Sequence, residues 1–344
     1  MFVLEETVKL DIKALYYILL VALFVGVICL LNFVINPLIQ GKIFVKEMYM
    51  RRDVDGAYRD APISSPWHGH INKIKENLTE LNEIGYEEVS ISSFDNLKLV
   101  GYLFKQKTKS KGTIILVHGC HSHSLREWAL FGNYYYKEGH NVLIIDQRAH
   151  NKSEGEYITF GVYEHKDLLQ WIDYISENIG SKEKIYLHGI SLGAAVVMMC
   201  ADKVDSTKVK GIIADSGYIN GREAFVKSIV GSMGNKKKID ATLKYVNKFS
   251  LKNYGFGIDE INPLDCVKNT DIPMLFIIGS ADTFGTHDTD TLYRQCSAQY
   301  KDMFIVNGAT HGECFYRGEE EYKNRIKELM EVKKWVWKKS FWNM

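Results

Sequence analysis

Eight short apolar runs, separated by amphipathic stretches, constrain this chain more than any other feature of its sequence. They are Glu88–Ile91, Leu97–Phe104, Thr113–Val117, Val142–Ile145, Ile185–Leu187, Gly211–Ala214, Met274–Ile278 and Met303–Val306. Stretches with helical periodicity lie between or after them: Leu125–Lys137, Val162–Ile179, Leu192–Ala201, Asp288–Gln299 and Glu319–Val336. The first two runs follow one another directly; strand and helix alternate afterwards. That order predicts a mostly parallel, eight-stranded sheet with helices on both faces. Runs such as IILV and VLII are apolar at every position, which suits strands buried on both faces. The alternation lapses between Ser216 and Asp271, where Lys, Asn and Gly are frequent and helices are expected around Arg222–Ser232 and Ile239–Phe249. An insertion of this size, about residues 217–270, is expected to form a helical lid. Its run Lys236-Lys237-Lys238 reads as a solvated loop.

Gly189-Ile190-Ser191-Leu192-Gly193 fits the pattern G-x-S-x-G. It follows the apolar segment KIYLHG and opens the helical segment LGAAVVMMCA, the strand–turn–helix setting the pattern requires. A serine exposed on so sharp a turn needs small neighbours two positions away on each side. The plain alternative is an ordinary turn with a serine helix cap.

A serine nucleophile needs a base, and the base needs an orienting acid. His311, in Gly308-Ala309-Thr310-His311-Gly312, follows the last apolar run. It is therefore expected at the same sheet edge as Ser191. Asp282 follows the preceding run in Gly279-Ser280-Ala281-Asp282 and is the expected acid, giving the order Ser…Asp…His. Asp288 and Asp215 remain as alternatives; Asp302 precedes its strand and falls on the wrong edge. An oxyanion hole needs two backbone N–H groups. Leu192 supplies one by position, and Cys120, in His118-Gly119-Cys120-His121, is the candidate for the other. His121 and Tyr218 are the expected substrate contacts.

These segments together resemble the α/β-hydrolase superfamily over about residues 86–337. ILVHGC is similar to the strand and turn that bear the oxyanion loop. IIDQRAHNKSEG is similar to a D-x-R-G-H-G-x-S-x-G segment, and HGISLGAA, IIADSGY, INPLDCVKNTDIPMLFIIGSAD and GATHG follow in order. The phrase YITFGVYEHKDLLQWIDYI resembles membrane-anchored bacterial hydrolases of the Bem46-like and serine-aminopeptidase-like groups. The resemblance implies a serine hydrolase without metal or organic cofactor; fold membership leaves the substrate open. Two features depart from the pattern. Ala149 and Asn151 stand where glycines are usual, and TFGTHD follows Asp282 where a Val-Pro pair is usual.

The N-terminal part has a different character. From Ala14 to Ile35 the chain carries no charge over 22 residues. A helix of that length spans about 33 Å, enough for a hydrocarbon core of about 30 Å. A buried core helix rarely runs so long without a polar face. A cleaved signal peptide would have a shorter apolar region and a small-x-small site before Pro37. Ile28 is too bulky to precede a lipoprotein Cys29. The expected organisation is a tail (1–13), a single-pass cell-membrane anchor (14–35), a juxtamembrane connector (36–84) and an α/β-hydrolase domain (85–344). Lys42, Lys46, Arg51 and Arg52 follow the span, against Lys9 and Lys13 before it, which favours a cytoplasmic domain.

Composition closes other routes. Lys and Arg number 43 and Asp and Glu 42, so nothing draws the chain to nucleic acid. Six cysteines in 344 residues are not a disulfide framework. His118, His121 and His123 are closely spaced, but no supporting ligands accompany them, and no metal is expected. Asp146, Arg148 and His150 are expected to brace loops; Trp128 and Trp171 fall at core spacing. The resulting expectation is a membrane-anchored serine hydrolase acting on an acyl ester or thioester. A peptidase with Glu313 holding a substrate amino group, and a non-catalytic binding module, are the alternatives.

Overall fold

The computed structural model describes residues 12–52, 69–233 and 235–342, and side chains except at 12–14, 229–233, 286–287 and 333–342. The expected tail as far as residue 11 and the connector stretch 53–68 lie outside these residues.

One sheet holds eight strands: β1 (Glu87–Ser92), β2 (Lys98–Phe104), β3 (Thr113–Val117), β4 (Asn141–Ile145), β5 (Ile185–Ile190), β6 (Val209–Asp215), β7 (Met274–Gly279) and β8 (Lys301–Val306). Their spatial order is β1-β2-β4-β3-β5-β6-β7-β8. The pairs β1–β2 and β2–β4 are antiparallel, and every other pair is parallel. Side chains alternate between two cores, as the strand period of two requires. Ile114 and Leu116 face one core; Ile115 and Val117 face the other. On the first side the sheet meets α3 (Ile71–Ile84), α4 (Ser124–Lys137) and α11 (Cys314–Trp342), through Leu81, Trp128, Tyr322 and Ile326. On the second it meets α5 (Glu164–Asn178), α6 (Leu192–Met199) and α10 (Thr286–Gln295), through Trp171, Val196 and Leu292. Each fully buried Leu, Ile or Phe of such a core contributes about 1.5–3 kcal/mol. β8 departs from the expectation of strands covered on both faces: as the sheet edge, it leaves Ile305 half exposed.

The insertion after β6 forms α7 (Gly221–Met233), α8 (Lys236–Tyr254), a short 3-10 turn at Ile258–Glu260 and α9 (Pro263–Val267). Lys236–Lys238 are not a loop. They open α8, because the Asn235 side chain accepts from the Lys237 and Lys238 amides and caps the helix there. Gly255, at φ 76°, ends it in the left-handed conformation that glycine adopts without strain.

The apolar N-terminal segment is α1 (Ile12–Leu30), and it does not stop at Ile35. One π-turn, Leu31–Ile35, joins it to α2 (Asn36–Met48). The Asn36 N–H reaches back five residues to the Leu31 carbonyl. This wider turn accommodates Pro37, which has no N–H to give and would crowd the carbonyl four residues before it. The helix from Leu15 to Met48 is long and apolar enough to cross a membrane. From Leu15 to Leu31 its side chains are exposed, whereas in α2 Pro37, Gly41, Phe44 and Val45 form a buried stripe. That stripe packs on the insertion, with the Phe44 and Phe225 ring centres 4.9 Å apart.

Candidate active site

The parallel strands end together at one edge. Val117 pairs with Gly189, Gly189 with Ala214, and Gly279 with Val306. The loops that leave this edge carry every residue of the candidate site.

Ser191 stands between β5 and α6 at φ 56°, ψ −113°. A non-glycine residue in such a conformation is strained and persists only where its surroundings hold it. Here the Ser191 amide donates to the Asp215 carbonyl at 2.8 Å. A Cβ on Gly189 would run into the Gly193 carbonyl, and one on Gly193 into the Val117 carbonyl. The two glycines therefore let α6 start directly against β3 and β5. Ala194 and Ala195, fully buried behind them, keep the approach close.

The Ser191 hydroxyl donates to His311 Nε2 at 2.9 Å, and His311 Nδ1–H donates to Asp282 Oδ2 at 2.8 Å, in the tautomer that satisfies both bonds. The other Asp282 oxygen accepts from the amides of Phe284 (2.7 Å) and Gly285 (3.2 Å). Burial pushes the Asp282 carboxyl up, but His311 and these two amides outweigh it and hold it below the usual value. The loops bearing Asp282 and His311 are tied together, as Ala281 N donates to the Ala309 carbonyl at 3.0 Å.

The other acids lie elsewhere. Asp288 is paired with Lys227 Nζ at 2.8 Å and accepts from Ile219 N. Asp215 is buried, raised by that burial to about 6, and accepts from Ser216 and Tyr322 hydroxyls. Asp302 opens β8 at the far edge and pairs with Arg325.

The loop after β3 passes close to Ser191: a Cβ on Gly119 would lie 3.5 Å from the serine Cβ. Gly119 N donates to Glu127 Oε1 at 2.8 Å, and Ser122 Oγ donates to the other oxygen of that carboxyl. Burial raises Glu127 to about 7, against these bonds. Sequence reading missed Glu127; its only signal was an acid on the apolar-periodic face of α4. Among the described hydrogen bonds, the amides of Cys120 and Leu192 donate to nothing. Adjacent loops are stitched to this one. Gln147 N donates to His118 Nε2 at 3.1 Å, and His121 N to His150 Nε2 at 3.0 Å. Burial holds His118 down to about 4 and His150 well below its usual value, so both rings are neutral acceptors.

His121 and Tyr218, the expected substrate contacts, are engaged within the protein. His121 Nε2–H donates to the Met50 carbonyl at 3.1 Å, because the chain leaving α2 crosses over this loop. The Tyr218 hydroxyl donates to the Phe160 carbonyl at 3.0 Å, and the residue is buried. Glu313 is also occupied. It accepts from Thr310 N at 2.9 Å, pairs with Arg317 and faces His70. Burial opposes its ionisation, but these donors together lower it to about 2. It braces the turn that carries His311.

The segment with missing glycines still turns. Ala149 and Asn151 have φ of 59° and 44°, and Asp146 gathers that turn by accepting from Asn151 Nδ2 and Lys152 N. Arg148, buried, bridges Asp167 and Asp95. No group of three or more His, Cys, Asp or Glu among the described residues is arranged to hold a metal ion.

Comparison with known proteins agrees with this architecture. Residues 108–249 match the family described as "Serine aminopeptidase, S33". The uncharacterized protein YqkD of Bacillus subtilis (strain 168) is 24% identical over 222 residues, 64% of this chain and 71% of that protein. The structure of the Pyrococcus furiosus esterase Pf2001 superposes with a TM-score of 0.58 at 26% identity, over 73% of this chain and 92% of that one. The α/β hydrolase GrgF from Penicillium sp. sh18 gives a TM-score of 0.55 at 17% identity, over 72% and 98%; that likeness is one of fold. By its sheet order, its elbow and these matches, the chain has the α/β-hydrolase fold and is similar to serine hydrolases of that fold.

Proposed function

We propose that the chain is a membrane-anchored serine hydrolase that cleaves an acyl ester or thioester through Ser191, His311 and Asp282. The observation that carries this reading is the continuous relay from Asp282 through His311 to a serine held at positive φ. In the proposed reaction His311 Nε2 takes the Ser191 proton as Oγ bonds to the substrate carbonyl carbon. The amides of Cys120 and Leu192 receive the oxyanion. As the tetrahedral species collapses, the bond to the leaving oxygen or sulfur breaks, and His311 returns its proton to that atom. Water then attacks the acyl-serine, again giving its proton to His311, and the acid departs as Ser191 is reprotonated. Asp282 holds the ring's tautomer and stabilises the imidazolium.

The likeness to an archaeal esterase supports ester cleavage. The match to a serine aminopeptidase family favours a second reading, amide cleavage by the same relay. Glu313, whose carboxylate is already bound by Thr310, Arg317 and His70, gives that reading no residue for a substrate amino group. Turnover of short p-nitrophenyl esters set beside aminoacyl amides separates the two. Failure of a fluorophosphonate to label Ser191 would remove both and leave a non-catalytic module. The apolar helix from Leu15 supports anchoring, and the basic residues after it support a cytoplasmic domain; protease accessibility in intact cells tests the side.

A further inference from the structure

The lid meets the apolar N-terminal helix at a point where charge and apolar surface lie side by side. Lys238 Nζ donates to Asn32 Oδ1 at 3.2 Å and sits 5.9 Å from the centre of the Phe33 ring. Both partners belong to the π-turn. A hydrocarbon core of about 30 Å takes up about 20 helical residues. Counted from Ala14, it ends at the level of Asn32 and Phe33, where acyl chains give way to headgroups. Lys236 and Lys237 precede Lys238 in the first turn of α8; both are exposed, and neither pairs with a carboxylate among the described residues.

The lid cannot readily move off this position. α8 runs alongside α2, with Gly41 packed against the Tyr245 ring and the Tyr49 hydroxyl 3.0 Å from Ser250 Oγ. α7 adds Phe225 against Phe44. The cationic start of α8 is thus held beside the helix that would emerge from the bilayer.

We propose that Lys236, Lys237 and Lys238 form a contact surface for the anionic phospholipid headgroups of the bilayer that holds α1. The lid is then seated on the membrane at one end and on α2 along its length. This inference rests on the reading of α1 as a membrane span. Its chemistry is ammonium against phosphate: each lysine near an anionic leaflet strengthens contact by about fivefold, and salt weakens it. Lysines that were merely solvated would be indifferent to the charge of the lipid.

The test uses the full chain reconstituted in phosphatidylcholine vesicles, and in the same vesicles with phosphatidylglycerol mixed in. Amide hydrogen exchange over residues 235–245 is the readout. Exchange is expected to slow by about tenfold with the anionic lipid, to recover at high salt, and to lose its lipid dependence in K236Q/K237Q/K238Q. Equal exchange in the two lipids, or a slowing that salt does not reverse, overturns the proposal. Exchange over β5 and α6 reports whether the variant is folded; should it not be, the salt response of the unaltered chain decides. Alkaline carbonate extraction separates the two readings. A chain released from vesicles means α1 does not span, whereas a retained chain blind to lipid charge defeats the headgroup contact alone.

Discussion

His311 Nε2 lies 2.9 Å from Ser191 Oγ across 120 residues of sequence, and the distance depends on the register of the three strand pairings that link β5 to β8. β5 delivers the serine; β8, two strands beyond β6, delivers the histidine to the same edge.

Replacement of Ser191 by Ala should abolish ester turnover. Asp282→Asn should lower kcat by about 10³–10⁴, by favouring the wrong His311 tautomer. Asp288→Asn should leave kcat within a few-fold, since that carboxylate answers Lys227. Steady-state kinetics on a p-nitrophenyl ester measures all three; equal losses at 282 and 288 would contradict the assignment of the acid.

Gly193→Ala should be among the most damaging small substitutions in the chain. Its methyl group would collide with the backbone carbonyl of Val117, which has no flexible end to move aside. Loss of folded protein, or a large fall in Tm together with loss of activity, is expected by circular dichroism. Gly308→Ala meets no neighbour but has φ 69°, so it should cost only local backbone strain, about 1–2 kcal/mol.

Glu127 gives stability a pH dependence of a particular sign. Its folded pKa, raised by burial to about 7, exceeds the ordinary 4.5. The folded state therefore binds the proton more tightly. The stabilisation is fully present below about pH 4.5 and is lost as pH rises through about 7. Urea denaturation between these limits should show this contribution, and Glu127→Gln, which cannot ionise, should flatten it. An unchanged slope in the variant would refute it.

Glu313 should behave in the opposite sense. Its carboxyl is lowered to about 2 in the folded state, so its contribution is present above pH 4.5 and disappears as pH falls toward 2. Glu313→Gln should reduce stability at neutral pH and, by loosening the turn at Thr310, lower kcat more than it raises KM for the ester. Loss of stability with unaltered kcat would confine Glu313 to the fold.

Arg148 is a buried cation between two carboxylates, and Arg148→Ala leaves Asp167 buried without its partner. Removal of one member of such a cluster costs about 3–5 kcal/mol. Chemical denaturation measures it; a change under about 1 kcal/mol would mean that water replaces the guanidinium freely.

Much of this was legible in the sequence because it depends on local pattern. Eight apolar runs became eight strands, since a run of β-branched and aliphatic residues between turn formers has few other fates. Ser191, Asp282 and His311 come within hydrogen-bond reach of one another because each follows a strand, and parallel strands end together. By charge pattern Lys236–Lys238 read as loop, but the decisive residue, Asn235, acts through a cap that charge pattern does not reveal. The engagements of His121 and Tyr218 are not legible in the sequence, since their partners Met50 and Phe160 lie on segments far away in the chain; that of Glu127 depends on how the loop after β3 folds back over the start of α4.

The sequence by itself determined the strand order along the chain, the small residues flanking Ser191 and the uncharged helix before the domain. These follow from side-chain period, steric size and charge, which are local properties. Only the tertiary structure decided which aspartate meets His311, which carboxyl is held near neutrality and where the N-terminal helix meets the lid. Those outcomes depend on desolvation and on distances between segments far apart in the chain, and both come into being only when the sheet is assembled.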